Sequence, residues 1–126
     1  MKLLRHVAVL ALSTPVGATL AANHIVDIQW SNDGRFQHQA QVAAGKFVEI
    51  CGKLSSGNVI RWSFDGSAPM DFNIHYHVGK DVVFPAKVSQ VATGQDTLAV
   101  TVPQDYCWMW ANKGTTPVNL KVELRR

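Results

Sequence analysis

The alternation of apolar and polar positions is strongest in the middle of this chain, between Met70 and Val78. Apolar residues occupy every second position there, namely Met70, Phe72, Ile74, Tyr76 and Val78. The positions between them are polar, namely Asp71, Asn73, His75 and His77. A period of two residues predicts a β-strand with one face in the core and the other face towards solvent. The segment Val118–Leu124 alternates in the same way.

Short segments rich in β-branched and aromatic residues recur after residue 22, and clusters of Gly, Asn, Asp, Ser and Pro separate them. Besides the two alternating segments, they are Ile25–Trp30, Phe36–Val42, Lys46–Leu54, Val59–Phe64, Thr97–Val102 and Tyr106–Ala111. About eight strands at intervals of roughly ten residues predict an all-β fold, a two-sheet antiparallel β-sandwich. In this interpretation Asp65–Pro69 is a turn, and Val82–Phe84 is an edge strand or connector that ends at Pro85.

The segment Tyr106–Ala111 is apolar on both faces, which predicts a central strand of the fold. One face carries Tyr106, Trp108 and Trp110, and the other carries Cys107, Met109 and Ala111. Two neighbouring strands are expected to contribute the rest of the core. Ile60, Trp62 and Phe64 on one strand should point inward and face Phe72, Ile74 and Tyr76 on the other.

The first 22 residues differ from the rest of the chain. Lys2 and Arg5 are cationic, an apolar run covers Val7–Leu12, and small residues follow. This is the layout of a secretory signal peptide, with cleavage expected between Ala18 and Ala22. The apolar run is too short for a membrane span, which needs ~20 residues. We therefore expect a signal peptide at residues 1–22 and one domain at residues 23–126, periplasmic or secreted and not membrane-spanning after cleavage.

The charge balance and the motifs exclude two classes of function. After residue 22 the chain has ten cationic and nine anionic side chains, a net charge of +1, and no basic stripe of the kind that binds nucleic acid. It contains no nucleophile elbow, no His-Glu-x-x-His zinc motif, no Cys-x-x-Cys and no phosphate-binding glycine loop. We therefore expect neither a nucleic-acid partner nor an enzyme.

Two cysteines, Cys51 and Cys107, are the complete set in this chain. Export would place them in an oxidising compartment, where a disulfide forms and persists. The bond would close a loop of about 55 residues, which contributes ~3–4 kcal/mol in the chain-entropy treatment. Two buried free thiols are the alternative.

The order of features from about Lys46 to Glu123 resembles the GOLD domain, a β-sandwich of early-secretory-pathway cargo receptors and of some lipid-transfer proteins. The features that match are the Val59–Phe64 and Met70–Ile74 strands, Tyr106 before a hydrophobic strand that closes with Asn112, and the terminal Val118–Glu123 strand. In those receptors a cysteine of an early strand bonds one in the Tyr-to-Asn strand, and Cys51 and Cys107 resemble that pair. Here Cys107 directly follows Tyr106, whereas the family's cysteine lies two residues later. The resemblance implies a fold and a binding role.

His75 and His77 are the sharpest candidates for chemistry, because two imidazoles on one face of a strand can share one ion. Met109 is a further candidate ligand, and an exported protein with His, Met and Cys side chains points to copper, or to zinc. The alternative is that Asp71, Asn73 and both histidines form the solvated face of an amphipathic strand. No complete ligand set is visible at a recognised spacing, so no cofactor is certain.

A ligand other than a metal would have two other candidate contacts. Asp71 and Asn73 offer polar groups beside the histidines, and Trp108 and Trp110 offer aromatic faces that bind sugars, lipids or soft cations. The alternative for both tryptophans is the hydrophobic core. The sequence thus predicts an exported, non-catalytic, disulfide-stabilised module that binds a partner protein or a small ligand, with a copper or zinc protein as the second hypothesis.

Overall fold

The computed structural model describes residues 23–126, so the predicted signal peptide at residues 1–22 lies outside the described part of the chain. Seven strands make up this part: β1 His24–Asp27, β2 Arg35–Val42, β3 Phe47–Leu54, β4 Val59–Val78, β5 Asp81–Ala99, β6 Gln104–Ala111 and β7 Val118–Arg125. Within residues 23–126 there is no helix, and hence none that is long and apolar enough to cross a membrane. The predicted all-β class is confirmed.

The strands form one hydrogen-bonded sheet in the order β1-β3-β6-β4-β7-β2, and β5 pairs with β4. Every pairing is antiparallel except that of β1 with β3. The long strand β4 belongs to both halves of the curled sheet, since residues 61–66 pair with β7 and residues 71–75 pair with β6. The core lies between these halves.

The segment Asp65–Pro69, predicted as a turn, bends β4 without ending it. The register between β4 and β5 shifts along this segment. At Gly66 the backbone packs so closely that an added Cβ would lie 3.1 Å from the carbonyl oxygens of Ala68 and Ala92. The two strands expected on either side of the segment are therefore one strand of 20 residues.

β5 is a strand of 19 residues, far longer than the predicted edge segment Val82–Phe84. Most of its side chains are exposed, because it lies at the edge of the sheet and pairs with β4. An edge strand with little burial lacks the alternation by which a strand is identified from its sequence. The length of β5 is set by its pairing partner and not by its own pattern.

Of the six core residues predicted on the two segments of β4, four are buried, while Trp62 and Tyr76 are partly buried and pack against the core. Phe64 packs against Phe72 and Trp110 with ring centroids 4.8 and 5.4 Å apart, and Phe72 lies 5.4 Å from Trp110. Ile60 and Ile74 are buried beside them. β6 lies between β3 and β4, which confirms its central position.

Candidate functional site

Six side chains project from the outer face of three neighbouring strands, opposite to the core; we call them the outer-face cluster. They are Glu49 and Cys51 on β3, Cys107 and Met109 on β6, and Asn73 and His75 on β4. The strand registers align them in two rows across the sheet, Glu49–Met109–Asn73 and Cys51–Cys107–His75. Because directly opposed residues on antiparallel strands have neighbouring side chains, each row is a line of contacts.

Cys51 and Cys107 form a disulfide between β3 and β6, across a sequence separation of 56 residues. They are directly opposed in the register, with their Cα atoms 4.1 Å apart. Both residues are half-buried. The carboxylate of Glu49 lies beside the bond, with Oε2 4.0 Å from Cys51 Sγ.

His75 is buried, although its position in the alternation predicted a solvated side chain. Its side chain is 6% exposed, and the Phe84 ring from β5 lies 6.0 Å from its imidazole. Nδ1 lies 2.7 Å from the amide oxygen of Asn73, and since that oxygen can only accept, Nδ1 donates. Nε2 points towards Glu49, 3.8 Å from Oε1. Burial lowers the pKa of His75, with Glu49 opposing the shift, so the imidazole is held neutral.

Two other polar residues of β4, His77 and Asp71, have surroundings that differ from those of His75. His77 is exposed, with its ring 5.2 Å from that of His75. Asp71 accepts hydrogen bonds from the backbone and side-chain nitrogens of Gln90, at 3.0 and 2.9 Å, and these bonds lower the pKa of Asp71. Asp71 thus holds a residue of β5 whose φ is +50°. The solvated-face interpretation applies to His77 and not to His75.

The tryptophans predicted as ligand contacts lie in the core. Trp108 and Trp110 are both 0% exposed, so neither ring can reach a ligand at the surface in this conformation. This corrects their assignment as binding residues, and the physical reason is that they share the inward face of the central strand β6.

Of the predicted metal ligands, His75 and His77 have ring centroids 5.2 Å apart, and Met109 lies on β6 opposite Asn73 in the register. Across residues 23–126, the cluster of donors close enough to share an ion is Glu49, Cys51 and Cys107, and the disulfide occupies both sulfurs. The copper hypothesis centred on two histidines gains no support from this arrangement.

An exposed apolar surface on the β4–β5 hairpin was missed by the sequence analysis; we call it the hairpin strip. It consists of Val78, Val82, Val83, Phe84 and Val88, each between 39% and 50% exposed. Lys87 Nζ lies 4.6 Å from the centroid of the Phe84 ring. The run Val82–Phe84 was the available signal, because three adjacent apolar residues without alternation cannot all point into one core.

No protein-family model matches this chain, and no curated protein matches it. Among solved structures, it is similar to Aeromonas hydrophila PliG, a periplasmic lysozyme inhibitor of g-type lysozyme, with a TM-score of 0.62 and 14% identity over 83% of this chain and 98% of that chain. This is a likeness of fold.

Two further structures extend the comparison. A mutant of Escherichia coli PliG gives a TM-score of 0.56 at 12% identity, over 82% of this chain and 98% of that chain. The pre-peptidase C-terminal domain of a Bacillus anthracis collagenase gives a TM-score of 0.51 at 12% identity, over 84% of this chain and 94% of that chain. These matches are all-β folds, and the resemblance to GOLD domains is not confirmed by them.

Proposed function

We propose that this chain is an exported, non-catalytic module that binds a protein, and that its partner is a cell-wall hydrolase of the lysozyme type. The PliG proteins that share its fold are described as periplasmic inhibitors of g-type lysozyme. The likeness covers 98% of those chains, so it includes the whole inhibitor domain and not a fragment of it.

The observation that carries the proposal is the hairpin strip. Several exposed apolar side chains gathered on one hairpin of a small exported domain are typical of a protein interface. In the register, Val82 opposes His77 and Val83 opposes Tyr76, so these two valines lie on opposite faces of the hairpin. A hairpin that is apolar on both faces is covered more completely by a cleft than by a flat surface.

The charges beside the hairpin strip agree with a hydrolase cleft. Lys80 lies at the tip of the hairpin and Lys87 lies on β5 against Phe84, while Asp81 is the acidic residue at the tip. Glycoside hydrolases carry a pair of carboxylates beside the scissile bond. Cationic side chains next to an apolar hairpin therefore complement the charge of such a cleft.

The test is inhibition of a g-type lysozyme by the exported protein, read as the clearing of a cell-wall suspension, with the affinity measured by calorimetry. We expect stoichiometric inhibition, and about thirtyfold weaker binding for Phe84→Ala, since truncation of a buried interface aromatic costs about 2 kcal/mol. The matched control is Val59→Ala, which removes an exposed apolar side chain at the opposite end of β4.

The possible outcomes test the identity of the partner and the location of the interface separately. If the wild-type protein neither binds nor inhibits, the lysozyme partner is refuted. If it binds and Phe84→Ala weakens binding no more than Val59→Ala does, the hairpin strip is not the interface.

A further inference from the structure

Three donor side chains lie close together above the central strand β6, and a fourth, His75, lies next to one of them. The carboxylate of Glu49 and the sulfurs of Cys51 and Cys107 lie within 4.8 Å of one another. His75 enters from the other side, directly opposite Cys107 in the register, with Nε2 3.8 Å from Glu49 Oε1. Three adjacent strands therefore place two sulfurs, one carboxylate and one imidazole nitrogen side by side, with Glu49 between the sulfurs and His75, so a shared ion requires His75 to move closer to the sulfurs.

The imidazole of His75 is already oriented as a ligand. A histidine that binds a metal typically donates its other ring N–H to an oxygen acceptor, which fixes the tautomer. Asn73 Oδ1 is that acceptor here, at 2.7 Å from Nδ1, so the lone pair is on Nε2 and faces Glu49.

The gap between His75 and Glu49 is slightly wider than the separation of two ligands on one ion. The 3.8 Å between Nε2 and Oε1 is too long for a hydrogen bond. Two ligands on one tetrahedral zinc ion lie about 3.3–3.6 Å apart, since Zn–N and Zn–O bonds are each about 2.0–2.2 Å, so a small movement of either side chain would admit the ion. Both residues are buried enough to restrict their movement, with side chains 6% and 16% exposed.

We propose that reduction of the Cys51–Cys107 disulfide creates a zinc site whose ligands are Cys51, Cys107, His75 and Glu49. A dithiol reductant supplies two electrons and two protons, the S–S bond breaks, two thiols form, and the reductant becomes a disulfide. Zn²⁺ then replaces the two thiol protons, which pass to solvent. Four-coordinate S₂NO ligation suits Zn²⁺, and the carboxylate disfavours Cu⁺, which prefers soft ligands.

The disulfide and the metal exclude each other in this arrangement. In the oxidised chain neither sulfur is a thiolate, so the ion would have only His75 and Glu49. In the reduced chain the bound ion occupies both thiolates and slows their reoxidation. The site is thus a redox-gated one, and it does not rest on the proposed hydrolase partner, although Phe84 of the hairpin strip lies 6.0 Å from the His75 ring.

The experiment compares the exported protein before and after reduction with a phosphine, which does not compete as a thiol ligand. Zn²⁺ binding is measured by competition with a chromophoric chelator, and Co²⁺ serves as the spectroscopic probe. We expect one equivalent per reduced chain, with thiolate-to-cobalt charge-transfer absorption, and no tight binding by the oxidised chain.

Variants identify the ligands. His75→Gln and Glu49→Gln are expected to weaken Zn²⁺ binding by the reduced protein more than tenfold, and Asn73→Ala about tenfold or more through loss of the fixed tautomer. The matched control is His77→Gln, an exposed imidazole two residues from His75, which should change the affinity less than twofold.

Three results would overturn the proposal. They are failure of the reduced chain to bind Zn²⁺, equal binding by the oxidised and reduced chains, and equal losses in His75→Gln and His77→Gln. Circular dichroism of the reduced chain accompanies each titration. A reduced chain that unfolds and binds through its cysteines alone would show no dependence on His75, and this too refutes the site.

Discussion

Asn112 should be essential to the stability of this fold, because its buried amide satisfies three backbone groups. The residue is 1% exposed and lies just after β6. Its Nδ2 donates to the carbonyl oxygens of Val42 and Thr116, at 3.0 and 2.8 Å, and its Oδ1 accepts from the backbone N–H of Gly114 at 2.9 Å. One side chain therefore ties the end of β2 to the loop that precedes β7.

The substitution Asn112→Ala removes these three hydrogen bonds together and leaves the three backbone groups without their side-chain partner. Each bond has a net worth of about 0.5–1.5 kcal/mol, so the free energy of unfolding should fall by about 2–4 kcal/mol. The assay is urea unfolding of the oxidised protein, followed by tryptophan fluorescence, with the midpoint compared at constant m-value.

Two further variants make this measurement decisive. Asn119→Ala removes an exposed amide from β7 and should leave stability nearly unchanged. Asn112→Asp keeps an acceptor for Gly114 but turns an oxygen towards the carbonyls of Val42 and Thr116, so it should destabilise at least as much as alanine. A loss below about 0.5 kcal/mol for Asn112→Ala, or a well-tolerated Asn112→Asp, would refute the reasoning.

Two other expectations test the packing and the electrostatics. Gly94→Ala should destabilise the protein by about 1–3 kcal/mol, because the added Cβ would lie 2.6 Å from Phe64 Cε1. The control is Thr93→Ala, at an exposed position of the same strand. An unfolding midpoint of Gly94→Ala at or above that of the control would contradict this expectation. Because burial holds the pKa of His75 below its ordinary value of 6.5, the unfolded chain takes up more protons on acidification, and stability should fall as the pH drops through 6.5 towards the folded pKa. His75→Gln should flatten this part of the stability profile, measured by urea unfolding between pH 7.5 and 5.5, and an unchanged slope would argue against a buried neutral imidazole.

The sequence alone was enough to predict the strands in which burial of one or both faces leaves a regular pattern of apolar residues. Met70–Val78 alternates because one face packs in the core, and its apolar residues Phe72 and Ile74 are buried as expected. Tyr106–Ala111 is apolar on both faces because one face fills the core and the other is half-buried on the outer side of the sheet. Such patterns depend on which faces of a strand are buried, so they can be identified without knowing which strand is its neighbour.

The candidate sites depend on long-range pairing and could not be predicted in this way. His75 belongs to the polar side of its strand, and it is buried because Phe84 of β5 lies against it. Glu49 and His75 are on strands that are not adjacent, and they approach each other across β6. The hairpin strip likewise follows from the pairing of a long, poorly buried edge strand with β4.

Local alternation in the chain therefore determined which residues face inward, and with them the all-β class and the central position of β6. The tertiary structure decided the strand order, the continuity of β4 through its bend and the meeting of Glu49, His75 and the two cysteines. The physical reason is that burial of one face gives each strand a two-residue period of apolar positions. The register between strands is set instead by the summed contacts of residues far apart in the chain.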